Sequence, residues 1–441
     1  MSYHANPVTF QMAYFTLLIY TILLYIRPQD IYPDASFASW PVMPTTIALT
    51  AVFALSSGQL NILRLFSIIQ NKLIVLLLVA VGLSHLAQLR FLGAWESAMF
   101  FVNVIVIFLL IPCILDSPKK IKGYIILLIL IAVFLAYQGV EQFLTGTSLG
   151  GHTPMISGDG TEIRVRWVGT LNDPNDLALV LVVTIPFLLF FIVSQKKWIP
   201  KGAAIFILSL IIYAVVLTKS RGGYISLAGM FYLFFAMRYR GIKSALMGSI
   251  GFFVLFLILP ERLVASLAGG QFIDYGRVEA WSEGLQMIKS NPIFGVGHRR
   301  FQEFHVIAAH NSYVELISET GILGGFFWAS IFYVTLRDIY RVHGYNQAGR
   351  LEDRYGLNEI ATAIFIALMG FLAAAFFLSR EYTVFPFILV AVWVATGKLI
   401  QRENEGLYFR FKPRDISVIF CLVVGFILFI YFAVRFLWSA K

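Results

Sequence analysis

The chain has 441 residues, 59% of them hydrophobic and only 13% charged, with a formal net charge of +10. Soluble globular domains run at roughly 45–50% apolar and about 25% charged residues, so these values exclude a soluble enzyme built on one core, a disordered chain and a collagen-like one. The 41 Phe and 20 Tyr fall in long apolar runs, the pattern of a polytopic membrane protein. The two cysteines, Cys113 and Cys421, lie inside such runs. That excludes a disulfide framework or a Cys-rich metal site and reads as two buried small hydrophobes.

A membrane span needs roughly 20 mostly apolar residues. Candidates fall at about 10–26, 42–58, 73–92, 97–115, 122–145, 175–194, 200–218, 222–237, 243–260, 312–336, 357–379, 383–400 and 416–438. The fold class is therefore all-α, with about 12–14 transmembrane helices, since 42–58 and 222–237 are short. The first run lacks a basic leader and is followed by Arg27-Pro28, which argues against a cleaved signal peptide. Most of the 34 Lys and Arg sit in alternate short loops, at Arg64 and Lys72, Lys119–Lys122, Lys196–Lys201, Arg238–Lys243, Arg337–Arg354 and Lys398–Arg414. By the positive-inside rule those loops are cytoplasmic and the N-terminus is inside. No basic run interleaved with aromatics lies outside the membrane, so nucleic acid is not an expected partner, whereas membrane lipids are.

Two outer segments, about 146–174 and 261–311, are too long to be simple turns. In the second, Val278, Trp281, Leu285 and Ile288 share one helical face, predicting an amphipathic helix over 277–290 ended by Asn291-Pro292. Such a helix lies on the outer membrane surface or caps a cavity. Gly295-Val296-Gly297 reads as a turn, not a nucleotide loop.

Away from the basic loops the charges are few. Lys219 and Arg221, in Thr218-Lys219-Ser220-Arg221-Gly222-Gly223, breach the charge pattern in a very short outer connection. The glycines let backbone approach a ligand, and a guanidinium there can grip phosphate oxygens bidentately. The bland alternative is an arginine snorkelling at a helix end. Arg277 opens the amphipathic helix, with a surface pair to Asp274 or Glu279 as its bland reading. Arg166, and less so Arg164, precede Trp167 beside Asp159 and Glu162, where a surface network would also account for them.

His310 stands at the mouth of a span, and Asn311, Glu315 and Glu319 follow on one helical face. Carboxylates entering a membrane helix are expensive and default to functional hypotheses. A histidine at that mouth suits a general base. His298 and His305 read as structural, and the spacing of the three histidines matches no zinc signature. Asn172-Asp173-Pro174-Asn175-Asp176 reads equally as a turn with an N-cap, or as sugar or metal binding by Asn175 and Asp176. Two arginines and a histidine on one membrane face suit an anionic, partly lipidic target. A polyprenyl pyrophosphate sugar fits, with the arginines stabilising the departing pyrophosphate and His310 taking the proton of an acceptor hydroxyl. That chemistry calls for no metal and no cofactor.

Three patches carry a family resemblance: VGTLNDPNDLAL at 168–179, LTKSRGGYISL at 217–227, and GRVEAWSEGLQMIKSNPIFGVGHRRFQEF through HNSYVELISETGILGGFFW at 276–328. Together they resemble the bacterial O-antigen ligase and O-antigen polymerase superfamily over roughly 160–330. The resemblance implies a GT-C-like membrane glycosyltransferase in the bacterial inner membrane, with its large loop and active site facing the periplasm. It implies an undecaprenyl pyrophosphate-linked glycan donor, a lipid A-core or growing glycan acceptor, and metal-independent, inverting transfer. It maps the catalytic roles onto Arg221, Arg277 and His310, with Arg166, Asn175, Asn311, Glu315 and Lys219 around the substrate. The chain then divides into N-terminal helices at 1–160, a catalytic core at 161–330 with its loop at 261–311, and C-terminal helices at 331–441. The stretch from Arg277 to His310 is short for a ligase, which narrows the room for a lipid A-core platform. Ligase, repeat-unit polymerase and protein O-glycosylation share these motifs. A lipid-linked oligosaccharide transporter and a metal-dependent transferase using Asp173 and Asp176 are the readings from other classes.

Overall fold

The computed structural model describes residues 7–60, 65–156, 160, 162–239, 243–244, 246–249 and 275–439. The candidate span at 243–260 falls largely, and the loop residues 261–274 wholly, outside them. The helices are α1 (Pro7–Ile26), α2 (Pro28–Ile31), α3 (Val42–Ser56), α4 (Ile69–Leu86), α5 (Phe91–Ile114), α6 (Pro118–Thr145), α7 (Pro174–Val182) and α8 (Ile185–Ser194). They continue with α9 (Trp198–Leu217), α10 (Arg221–Arg238), α11 (Tyr275–Ser290), α12 (Phe301–Phe304), α13 (Ser312–Gln347), α14 (Leu357–Ala375), α15 (Val384–Glu403) and α16 (Pro413–Ser439). The protein is an all-α, polytopic membrane protein. The described strands, β1 (Met155–Ile156) and β2 (Ile163–Arg164), pair antiparallel in the first long loop.

Ten helices among the described residues are long and apolar enough to cross a membrane. The thirteen sequence candidates exceed them by 243–260, by α3, which is apolar but has only 15 residues, and by α10, which is not among the ten. The 175–194 candidate is two helices, α7 and α8, broken at Val183-Thr184.

Helix starts follow from local chemistry. Asp173, Ser220 and Asn311 cap α7, α10 and α13 by accepting from the backbone N–H of Asn175, Gly223 and Tyr313. Pro118 and Pro174 occupy first-turn positions, where the missing N–H is no loss. Packing places α15 at the centre, with 89% of its apolar window buried, and α16 at the rim, with 17%. Around α15 stand α5, α14 and α13, and α10 packs on α14. That last contact is close: a Cβ on Gly370 would collide with Met230, and Ser226 Oγ donates to Gly370 O at 2.9 Å. Small residues allow such approach between membrane helices.

Cys113 is half-buried and Cys421 exposed, which corrects the expectation of two buried hydrophobes. Cys421 lies on the rim helix α16, where an apolar residue faces lipid as readily as core. Basic helix ends meet at one end of the bundle, where Lys398 Nζ donates to Pro112 O at 3.3 Å, joining α15 to α5. The three sequence patches lie at the other, here termed the site end.

Candidate functional site

The first patch is seated on the N-terminal segment. Trp167 Nε1 donates to Ile26 O at 3.2 Å. Gly169, at φ +59°, lies so close to Arg27 and Asp30 that a Cβ there would collide with both. Arg27 and Asp30 form an ion pair. Arg164 joins this patch to the second, its Nε donating to Thr218 O at 3.1 Å and its Nη2 to Asn175 Oδ1 at 3.2 Å. The two glycines after Arg221 are close-packing positions. A Cβ on Gly223 would lie 2.9 Å from Ala178 Cβ, and one on Gly222 would lie 3.2 Å from Phe377 Cβ. The start of α10 therefore rests on α7 and on the segment between α14 and α15.

That segment, 376–383, ties the third patch in. Arg380 grips Asp176 bidentately, at 2.5 and 2.6 Å. Its backbone N–H donates to Ser312 Oγ at 2.8 Å, and Ser312 Oγ donates to Leu378 O at 2.6 Å. Ser379 Oγ donates to Glu315, which also accepts from Ala309 N–H at 3.2 Å. Tyr313 O–H reaches Leu372 O at 2.6 Å. Asp176, Arg380, Ser312 and Glu315 are thus one continuous floor beneath the start of α13.

The expected amphipathic helix is α11. It packs against α13 and α16 rather than lying on the membrane surface, because Val278, Met287 and Ile288 need a protein partner and find it there. Trp281 Nε1 donates to Ala309 O at 2.9 Å, beside His310, and the Trp281 ring meets Phe376 edge-on at 5.5 Å. Arg277 lies four residues before Trp281, on the same face and one turn nearer the helix start.

The chain after α11 then threads a break in α13. Gly321, at φ +66° and ψ −171°, interrupts the helix. Residues 292–297 lie alongside: Val296 and Gly297 N–H donate to Ser318 and Glu319 O at 3.0 and 2.9 Å, while Ile322 and Leu323 N–H donate to Pro292 and Ile293 O at 2.9 and 3.2 Å. The strap satisfies the backbone groups that the break frees, as a membrane interior demands. Gly295-Val296-Gly297 is therefore a strap rather than a free turn. Glu319, 1% exposed, accepts from Arg299 N–H at 2.7 Å and Phe301 N–H at 3.1 Å. Its carboxylate anchors the loop.

The other residues singled out fall as follows. Arg221 is half-buried in the first turn of α10 and makes no hydrogen bond or ion pair among the described residues. Lys219, His310 and Arg299 have φ +52°, +47° and +60°. With Arg27 and Leu89 they are the non-glycine residues of positive φ among the described residues, and all lie at the site end. Such strain gathers at functional sites. Asn311 is fully buried and caps α13 through Oδ1, while its Nδ2 has no partner among the described residues. Arg166 turns to the loop, Nε donating to Thr153 O at 3.2 Å and its N–H to Gln142 at 2.9 Å. It is Arg164 that reaches the neighbouring patch.

Asp173 and Asp176 both have protein partners, one capping α7 and the other held by Arg380. His298 is 1% exposed, with Tyr382 edge-on at 4.2 Å. Burial, Arg299 and His85 lower its pKa to about 3, so it is neutral. Burial raises the Glu381 carboxyl well above its usual range, with Glu315 and Glu319 adding to the effect. Sequence reasoning missed Arg380 and the Arg27–Asp30 pair. The one signal for each was a charge at the very end of a span.

Below the site, a cavity of about 840 Å³ runs between α13, α14 and α16, lined chiefly by apolar and aromatic side chains. Tyr313 and Phe376 stand at its site end, Trp328 and Phe332 midway, and Arg337 at the far end.

This geometry is that of a polytopic membrane protein with a charged face above an apolar channel. Residues 205–329 match the O-antigen ligase family model, and over that stretch the chain is similar to O-antigen ligase-related membrane proteins. The match supports a membrane enzyme of the ligase and polymerase type, and it contains Arg221, Arg277 and His310. No curated protein matches the chain.

Proposed function

We propose that the protein transfers a glycan from an undecaprenyl pyrophosphate donor to an acceptor hydroxyl at the periplasmic face of the bacterial inner membrane. The convergence of three separate patches on the Asp176–Arg380–Ser312 floor carries this reading. Arg221, which has no partner among the described residues, and Arg277 hold the pyrophosphate, with Lys219 beside them. Asn175 and Glu315 line the sugar side, with Asn311 beneath them as the cap of α13 and Arg166 set back in the loop.

His310 takes the acceptor proton as the acceptor oxygen attacks the anomeric carbon. The bond to pyrophosphate breaks on the opposite side, so the configuration inverts. The arginines stabilise the charge gathering on the leaving group. The prenyl tail lies in the apolar cavity, which begins at Tyr313, three residues beyond His310.

A second reading, repeat-unit polymerase, is favoured by the strap. With 292–297 zippered to α13, little of the segment between Arg277 and His310 is left to form a platform for lipid A-core. The test uses purified protein with an undecaprenyl pyrophosphate-linked repeat unit. A ladder of longer lipid-linked chains identifies a polymerase, and transfer only after adding lipid A-core identifies a ligase. Silence under both conditions rejects both acceptors.

A further inference from the structure

Two cavities at the basic end belong to no part of the site above. The larger, about 320 Å³, lies between the start of α4 and the end of α15, lined by Gln70, Trp393, Lys398, Gln401, Tyr408 and Arg410 among others. The smaller, about 90 Å³, shares Lys398 and adds Gln59, Asp116 and Arg402. Lys398 lines both cavities, Arg410 the larger and Arg402 the smaller, and none of the three has a carboxylate partner among the described residues. Lys398 donates to a backbone carbonyl, Pro112 O, at 3.3 Å. The Arg410 guanidinium stands 5.4 Å from the Tyr408 ring centre. The nearby carboxylate, Asp116, pairs with Lys120 at 3.2 Å.

The second observation is polar and buried. Gln70 is 4% exposed, lines the larger cavity, and its side chain makes no hydrogen bond among the described residues. In the smaller cavity Gln59 Nε2 is likewise buried without a partner. Buried amide groups without partners are costly. Here the Gln70 carboxamide and the Gln59 Nε2, whose Oε1 already accepts from Ser57 Oγ at 3.1 Å, stand beside cations that have no carboxylate, so the group that would satisfy the set accepts hydrogen bonds and carries negative charge. A planar guanidinium with an ammonium suits phosphate oxygens. Basic pockets of this kind between membrane helices take phosphate headgroups, and the exposed Tyr408 is of the aromatic type that favours the membrane boundary.

We propose that this end of the protein binds a phosphate group between Lys398 and Arg410, with the Gln70 carboxamide as its buried donor. The phosphate is carried by an anionic phospholipid or is free in the aqueous phase. The pocket lies at the end of the bundle opposite Arg221 and His310 and does not depend on the glycan-transfer reading.

The test is the melting temperature of the purified full chain in an uncharged detergent, followed by tryptophan fluorescence. The probes are a short-chain phosphatidylglycerol, diacylglycerol with the same tails, and inorganic phosphate. A rise of a few degrees with phosphatidylglycerol alone identifies a lipid headgroup, and a rise with inorganic phosphate as well shows that the free ion suffices. In either case Lys398→Gln/Arg410→Gln removes the rise and Arg221→Gln, at the other end, keeps it. No rise with either phosphate probe, an equal rise with diacylglycerol or in the double variant, or loss of the rise in Arg221→Gln overturns the proposal. Should the double variant not accumulate, Gln70→Leu weakens the apparent affinity for the same probe about tenfold, the size of one hydrogen bond to a charged group. An unchanged affinity in that variant overturns it equally.

Discussion

Arg380 and Asp176 stand 204 positions apart in the chain and meet through two parallel hydrogen bonds of 2.5 and 2.6 Å. Asp176 is 2% exposed, so water does not replace a lost partner. Removing one member of a buried pair costs about 3–5 kcal/mol. Arg380→Ala is therefore expected to lower the melting temperature sharply and abolish glycan transfer. Asp176→Leu/Arg380→Met restores the melting temperature while transfer stays low. Normal transfer in Arg380→Ala would show the floor to be dispensable.

Arg221→Ala, Arg277→Ala and His310→Ala are expected to leave the protein folded and in the membrane while transfer falls. Loss of one charge-stabilising donor costs about 10²–10³ in rate. Product formation from a lipid-linked donor, normalised to folded protein, measures it. Any of the three that turns over near the wild-type rate does not belong to the site.

Transfer is expected to be unchanged in EDTA, because Asp173 and Asp176 are committed to a helix cap and to Arg380. Activity lost to the chelator and restored by a divalent cation would favour the metal-dependent transferase.

Gly321→Ala is expected to destabilise the protein. Its φ is +66°, and a Cβ would collide with the Ile293 backbone of the strap. Its combination of positive φ with ψ near 180° is essentially restricted to glycine and costs roughly 1–3 kcal/mol for a residue with a Cβ. Gly344→Ala, in the same helix with open space around it, is expected to be neutral or slightly stabilising. Equal melting temperatures for the two variants would mean that the strap does not hold the break.

His298 predicts a pH dependence. Its folded pKa is about 3 against an ordinary 6.5, so below pH 6.5 the unfolded chain takes the proton and the folded one does not. The stability present above 6.5 is lost as pH falls toward 3, by about 2 kcal/mol between pH 7 and pH 5. His298→Phe is expected to flatten that part of the melting profile. An unchanged slope would place the acid sensitivity elsewhere.

Hydropathy located most of the spans, and side-chain chemistry offered an N-cap within Asn172–Asp176, because both are local properties; the caps at Ser220 and Asn311 were not read from the sequence. The break at Gly321 was not legible, since an apolar run reads alike whether its helix is whole or bridged by a strap. Arg380 was hidden for a different reason. It lies outside the three patches, and its partner is fixed by packing between α7 and the loop before α15. The placement of α11 against α13 and α16 rather than lipid was open for the same reason, because an apolar stripe does not say what covers it.

The strap has a mechanical consequence. Arg277 precedes it, His310 follows it, and both flank the Trp281–Ala309 hydrogen bond, so the two side chains are carried on one jaw clamped to the broken helix. Arg221 belongs to the opposing jaw, formed by α7 and α10. The Asp176–Arg380 pair, tied to α13 through Ser312, is the clasp that holds the two jaws together.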